Sequence, residues 1–279
     1  MLSTSALVWG ARWVRRAALG VAAVIVLASV APLGRGPVRL VNVNGHYPVG
    51  VPNSAEPSGE APPGRTALVG YRLSYVTDFG GTKLPRNWYL FTGIPGGDPG
   101  GRFLASHTVV TDGMLELLAT ENPSNHLHWF TGGVCQCGVA HVYGAYFVRS
   151  RLSGPGPNVA ELLWPASNHW PPEIDFNETG GSDVWTSTSL HYGANNKIVR
   201  SGVHIDMTKW HTWGVIWSPT SVVYTVDGRV WGRFSQRAHV PRVPMTLDFE
   251  QRTLCPLHRQ CPTAPQQLYV DWVAEYVRA

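Results

Sequence analysis

Three carboxylate side chains fall within one six-residue run, Glu173–Glu178, whose sequence is otherwise typical of a β-strand. In a strand, residues two apart share a face, so Glu173 and Asp175 are predicted to point the same way. Glu178 would point the opposite way in a regular strand, but a β-bulge at Phe176 or Asn177 would move it onto the same face. The sequence therefore predicts one surface lined by three acids.

Two carboxylic acids arranged in this way fit the cleavage of a glycosidic bond. Four strand steps separate the backbones of Glu173 and Glu178 by about 13 Å. On a concave sheet the side chains would lean inward to about 5–6 Å, the separation at which a nucleophile and an acid/base act with retention. The alternative is a solvated strand face. Three like charges on one face would destabilise such a strand, and the nearby Trp164 and Trp170 favour a site.

Composition favours a β-sandwich or barrel. The chain has 279 residues, of which 44% are hydrophobic and 14% charged, with 12 Trp, 30 Gly and 22 Pro. Frequent aromatic residues and turn formers are typical of sheet proteins. The formal charge is +4, but Arg12, Arg15 and Arg16 lie in an N-terminal stretch without acids, which leaves +1 for the remainder. This balance excludes a basic nucleic-acid-binding surface.

The N-terminus resembles a targeting segment. Arg12–Arg16 precede a weakly apolar run, Ala17–Leu33, as in a signal peptide or an uncleaved signal anchor. Seventeen residues are borderline for spanning a bilayer, and a buried helix is the other interpretation. Either targeting role exports the remainder, so we expect a protein secreted or anchored on the outer side of the cytoplasmic membrane. We divide the chain into residues 1–33 as leader, residues 34–69 as a Pro/Gly-rich linker, and residues 70–279 as the folded domain.

Four cysteines in an exported chain indicate disulfides. Cys135 and Cys137 are too close in sequence to pair without strain, so we expect each to bond to Cys255 or Cys261. A zinc site that includes His258, and four free thiols, are the alternatives.

From Tyr71 onward, about a dozen short strand-like runs alternate with turn signals. Asp227-Gly228 lies between two such runs and is a strong hairpin signal. The pattern predicts an all-β, two-sheet sandwich without a second domain.

Five segments in order resemble glycoside hydrolase family 16, the laminarinase, lichenase and agarase group of the concanavalin A-like lectin/glucanase superfamily. The acid run resembles the bulged active-site strand of that family. The other matching segments, from Tyr71 to the chain end, are Thr77–Trp88, Val142–Arg149, Trp210–Gly228 and Tyr269–Val273.

The resemblance implies an antiparallel jelly roll with a concave substrate cleft, and a retaining, endo-acting hydrolase of β-glucans or galactans. Glu173 would be the nucleophile, Glu178 the general acid/base, and Asp175 would tune the pair. No metal or cofactor is implied, the partner is a polysaccharide, and we expect a monomer. A cell-wall transglycosylase on the same scaffold and a non-catalytic carbohydrate-binding module are the alternatives.

Three further residues are candidate substrate contacts: Trp164, Trp170 and His191. The tryptophans would stack on sugar rings, and many laminarinase-like members carry a His where His191 lies. Structural roles in the core or in a strand remain the alternative for each. We assign Trp213, Trp217 and Trp272 to core packing.

The chain departs from the family pattern at the expected cleft walls. Pro172 stands where a Gly usually precedes the nucleophile, and the polar segment Asp248–Arg252 replaces an apolar one. These departures leave the reaction class intact and predict an unusual, charged or substituted glycan.

Overall fold

The computed structural model describes residues 47–125, 128–253, 255 and 262–279, in which nineteen strands are formed. In chain order they are β1 Val51–Pro52, β2 Glu60–Ala61, β3 Tyr71–Thr77, β4 Tyr89–Leu90, β5 Gly101–Phe103, β6 Thr108–Thr111, β7 Met114–Glu121, β8 Trp129–Thr131, β9 Gly133–Cys135, β10 Gly144–Leu152, β11 Asn158–Pro165, β12 Glu173–Glu178, β13 Trp185–Tyr192, β14 Lys197–His204, β15 His211–Ser218, β16 Ser221–Val226, β17 Arg229–Phe234, β18 Met245–Arg252 and β19 Gln266–Arg278. Two short 3-10 helices, Ala105–His107 and Arg237–His239, join strands.

Two large sheets confirm the predicted sandwich. The seven-stranded sheet has the order β14-β13-β12-β11-β18-β9-β4, and the ten-stranded sheet has the order β17-β16-β15-β10-β19-β7-β8-β5, with β3 and β6 paired to its members. Neighbours are antiparallel except β5 and β8, which are parallel. At the predicted hairpin between β16 and β17, Asp227 and Gly228 both have positive φ, as a two-residue primed turn requires.

The core lies between the two sheets and orients the acid strand. Alternating residues of β12, β11 and β18 point into it, among them Ile174, Leu163 and Phe249, all fully buried. The residues between them therefore face outward from the seven-stranded sheet, because side chains alternate along a strand. We call this outward surface the site face. Trp213 and Trp217 lie in the core as predicted.

Residues 47–69 are not a free linker, contrary to our expectation. They pack against the outer face of the ten-stranded sheet, where Leu68 joins an apolar cluster that contains Phe147, Trp272 and Tyr276. The indole N–H of Trp272 donates to the Glu60 carbonyl at 2.8 Å. The side chains of this face are large and apolar, so they need a cover, and the Pro/Gly-rich segment supplies it. Trp272 is thus buried beneath this segment and not between the sheets.

The prediction that Cys135 and Cys137 each bond to Cys255 or Cys261 is also wrong. Cys135 is bonded to Cys137, at a Cα separation of 5.0 Å. Cys255 is also disulfide-bonded, whereas His258 and Cys261 lie outside the described residues. Cys135 ends β9 and Cys137 follows in the next turn, so the local backbone brings the two thiols together.

The leader, residues 1–33, lies outside the described residues and its assignment stays a prediction. Among the residues that are described, no helix has the length and apolar character needed to cross a membrane.

Candidate active site

A bulge in β12 brings the three acids to the site face, as the spacing predicted. Against β11, Asp175 pairs with Leu162 and Asn177 pairs with Glu161, so Phe176 has no partner of its own. Phe176 is buried in the core and Asn177 accepts a hydrogen bond from buried Thr186. Because two successive residues turn inward, Glu178 returns to the face that carries Glu173 and Asp175.

Glu173 is enclosed by groups that orient its carboxyl. The indole N–H of Trp170 donates to Glu173 Oε2 at 2.6 Å. His191 lies opposite Glu173 on β13, and its Nε2 is 3.4 Å from Asp175 Oδ2. A carboxylate oxygen from each acid and a ring nitrogen of His191 lie within 4.8 Å of one another. Glu173, Asp175 and His191 thus form one compact polar cluster.

Glu178 has a different, more polar environment. Arg200 on β14 donates from Nη2 to Glu178 Oε2 at 3.2 Å, and Ser189 Oγ donates to the same oxygen at 3.3 Å. Asn158 Nδ2 lies 3.4 Å from Oε1. The side chain of Glu178 keeps 18% of its surface exposed, whereas that of Asp175 keeps 3%. Glu178 and Asp175 therefore differ in solvation and in their hydrogen-bonding partners.

Burial changes the protonation of the inner pair. Burial, and then the charge of Asp175, raise the pKa of Glu173 to about 9. Burial and the charge of Glu178 raise the pKa of Asp175 well above its usual range. The two carboxyls therefore titrate as a coupled pair, and burial favours their protonated forms. The indole of Trp170 is only a donor, so the Glu173 oxygen that it contacts is an acceptor.

The three predicted substrate contacts lie on or beside the site face. Trp170 is 40% exposed, and its ring centroid is 5.7 Å from that of His191. Trp164 lies on β11, and its indole N–H donates to Asn168 Oδ1 at 3.0 Å and not to an acid. The Nδ1–H of His191 donates to Asn196 Oδ1 at 2.8 Å. Trp170 and His191 thus contact the acids of the trio directly. Trp164 lies two residues after Leu162 on β11.

The polar late strand, β18, adds charged groups to the same face. Thr246, Asp248 and Glu250 alternate with core residues, and Asp248 lies across β11 from Asp175. Burial raises the pKa of Asp248 well above its usual range, and the hydroxyl of Thr246 opposes this by donating to it at 2.9 Å. Arg252 pairs with Glu250 at 2.7 Å.

The sequence identified Asp248–Arg252 as an unusual polar segment but did not predict which way its side chains point. It missed Ser189 and Arg200 entirely. For Ser189 a signal existed, since it lies two residues before His191 on a predicted strand. For Arg200 none existed, because its contact with Glu178 requires β14 to pair with β13.

A pair of carboxylic acids on one face, with different environments, is what most glycoside hydrolases use to cleave their substrate. Comparison with known families agrees. Residues 103–273 match glycosyl hydrolases family 16, and the chain belongs to this family. It is therefore a glycoside hydrolase, and the resemblance drawn from its motifs is confirmed.

Two curated relatives come from Rhizobium meliloti (strain 1021). The endo-1,3-1,4-beta-glycanase ExsH is 32% identical over 32% of this chain and 20% of its own length. The endo-1,3-1,4-beta-glycanase EglC is 27% identical over 42% of this chain and 28% of its own length. The chain thus spans less than a third of either relative.

Solved laminarinases share the fold. The laminarinase from Rhodothermus marinus has a TM-score of 0.67 at 21% identity, over 75% of this chain and 98% of its own. The catalytic domain of an endo-1,3-beta-glucanase (laminarinase) from Thermotoga petrophila RKU-1 has a TM-score of 0.63 at 18% identity, over 75% and 98%. At these identities the likeness establishes the sandwich architecture.

Proposed function

We propose that this protein is an exported, endo-acting β-glucanase that cleaves 1,3- or mixed 1,3-1,4-linked β-glucan with retention. The observation that carries the proposal is the bulged strand that presents Glu173, Asp175 and Glu178 on one face, each with different partners. The named activities of ExsH, EglC and the laminarinases support a glucan over a galactan.

Glu173 acts as the nucleophile. Its carboxylate attacks the anomeric carbon and forms an ester, while Glu178 gives its proton to the departing glycosidic oxygen. Glu178 then removes a proton from the incoming water, which breaks the ester and releases the sugar with its original configuration. The separation of the two carboxyl groups, which we predict to be about 5–6 Å, is the geometric requirement for this sequence.

Asp175 keeps the nucleophile ionised when it is itself protonated, because its negative charge would otherwise raise the pKa of Glu173. Its O–H can then donate to Glu173, to which Trp170 also donates at 2.6 Å, so that the nucleophile is a carboxylate with two donors. The nearby His191 orients Asp175 through the 3.4 Å contact. Trp170, half-exposed beside the nucleophile, is placed to stack on a sugar ring, and Trp164 extends the same face.

The test is a substrate screen with a matched pair of variants. Purified protein is incubated with laminarin, lichenan, agar and galactan, and the products are sized and their anomeric form is followed by NMR. Retained β-oligosaccharides from laminarin or lichenan are expected from wild type. Glu173→Gln should lose at least about 10³-fold in turnover, whereas Glu116→Gln on β7 of the other sheet should not.

Two results would contradict the proposal. Hydrolysis of agar or galactan alone would refute the glucan assignment, and an initial α-product would refute retention. Adding oligosaccharide acceptors to the same reactions separates hydrolysis from transglycosylation, because a transglycosylase would form longer products.

Export is part of the proposal and is supported by the basic-then-apolar leader and by the Cys135–Cys137 bond. N-terminal sequencing of the protein from the cell exterior and from membranes tests it. Recovery of the intact chain in the cytoplasm would refute export.

A further inference from the structure

One cation on the edge strand of the seven-stranded sheet contacts Glu178. The catalytic roles of the three acids do not themselves require this cation. Arg200 lies on β14, two strands away from Glu178, and donates from Nη2 to Oε2 at 3.2 Å. It also donates from Nε to Ser189 Oγ at 2.9 Å, and Ser189 in turn donates to the same carboxylate oxygen. One guanidinium and one hydroxyl thus fix the position of Glu178 Oε2.

The other charges near Glu178 do not replace this contact. Asp175 and Glu173 lie on the same strand and are acids, so neither supplies a positive charge. Glu250 and Arg252 on β18 face Glu178 from the opposite side. Arg252 is tied to Glu250 at 2.7 Å and to the Gly96 carbonyl at 2.9 Å. Among the described residues, Arg200 is therefore the cation in direct contact with Glu178.

This contact matters because the reaction uses Glu178 in two protonation states. The first step needs its proton, and the second needs its carboxylate. A guanidinium within hydrogen-bond distance favours the carboxylate. The Arg200 side chain is 48% exposed, so water reduces the effect without removing it.

We propose that Arg200 is a positioning residue that, with Ser189, orients Glu178 and sets the upper pH at which it can serve as the general acid. The proposal rests on the acid/base role assigned to Glu178 above. Arg200 does not need to touch the glycan, so substrate binding should depend on it weakly.

The experiment compares kcat/KM against pH for wild type, Arg200→Gln, Arg200→Lys and Lys197→Gln. Lys197 is the matched control, because it carries the same charge on the same strand but points to the opposite face. In Arg200→Gln the alkaline limb should move up by about one pH unit, because the proton on Glu178 is harder to lose. Its kcat at the optimum should fall about tenfold, with KM within about threefold of wild type, because the acid is less well oriented.

Arg200→Lys keeps the positive charge but loses the second hydrogen-bond donor of the guanidinium, which contacts Ser189 in wild type. Its alkaline limb should stay near that of wild type while kcat falls, and Lys197→Gln should match wild type in both. If Arg200→Gln fails to fold by circular dichroism, Arg200→Lys carries the test, and a displaced limb in that variant would overturn the proposal. The proposal would also be overturned if the alkaline limb of Arg200→Gln lay at the same pH as that of wild type. The same holds if Lys197→Gln displaced the alkaline limb by an equal amount.

A second substrate shows which step Arg200 controls. In a dinitrophenyl β-glycoside the leaving group is dinitrophenolate, which departs without a proton, so kcat/KM for this substrate does not need the acid. The limb displacement of Arg200→Gln should vanish with this substrate, and its persistence would refute action through Glu178.

Glu178→Gln separates the two levels of inference. It should lose activity on the polysaccharide and keep kcat/KM for the dinitrophenyl glycoside, while kcat for that glycoside falls because the second step still needs the carboxylate. If it keeps activity on both substrates, the acid/base assignment fails and the role of Arg200 falls with it. If it behaves as expected while Arg200→Gln equals wild type, only the inference about Arg200 fails.

Discussion

Glu275 should make this protein less stable as the pH rises from 5 to 8. The side chain lies on β19 and is 1% exposed, opposite Tyr146 on β10. Neither carboxyl oxygen has a hydrogen-bond partner of normal geometry, although Gln136 lies beside it. Burial raises the pKa of Glu275 to about 8, from 4.5 for an exposed Glu. The folded protein therefore holds a neutral acid where the unfolded chain holds a carboxylate.

The magnitude follows from the two pKa values. Below pH 4.5 both states are protonated and the group has no pH-dependent effect. Between pH 4.5 and about 8 only the unfolded state releases the proton, so the free energy of unfolding falls by about 1.4 kcal/mol per pH unit. The upper bound on the loss is about 5 kcal/mol at pH 8. Glu275→Gln mimics the neutral acid and should remove this loss.

Denaturant unfolding of wild type and Glu275→Gln at pH 5, 6.5 and 8 measures the effect. The two proteins should have similar stability at pH 5, and the variant should be more stable by several kcal/mol at pH 8. Asp112→Asn, in an exposed turn, is the control and should not change the slope. Glu161 on β11 has its pKa raised by burial to about 8 as well, so Glu161→Gln should act in the same direction. A stability difference that stays constant from pH 5 to 8 would refute the argument.

Three other perturbations test the site and its support. Glu173→Ala should lose at least about 10³-fold in turnover, and azide should restore part of it with an inverted product; near-normal turnover would remove Glu173 from the mechanism. Asp175→Asn should lower the rate, because an amide cannot exchange a proton with Glu173 as the coupled carboxyls do; full activity would contradict its place between the two Glu residues. A chain that begins at residue 67 should be less stable than one that begins at residue 47 by about 3–6 kcal/mol, because Trp272 and Tyr276 lose their cover; equal melting temperatures would show that the cover is dispensable.

The acid strand was predictable because its information is local. A period of two places Glu173 and Asp175 together, and the odd spacing to Glu178 demands a bulge, which the unpaired Phe176 provides. The same holds for the hairpin at Asp227-Gly228, where both residues need positive φ. Such features depend on residues that are close together along the chain, so they can be predicted from the sequence.

Contacts between distant segments were beyond this kind of reasoning. Arg200 reaches Glu178 only because β14 pairs with β13 in a particular register. The Pro/Gly-rich residues 47–69 read as a linker because they lack periodicity, yet they cover an apolar face formed by strands far along the chain. Strand order, register and the matching of one exposed surface with another are properties of the assembled chain. Spacing and composition therefore specify the reaction chemistry, whereas the pairing of the sheets assigns each acid its partners.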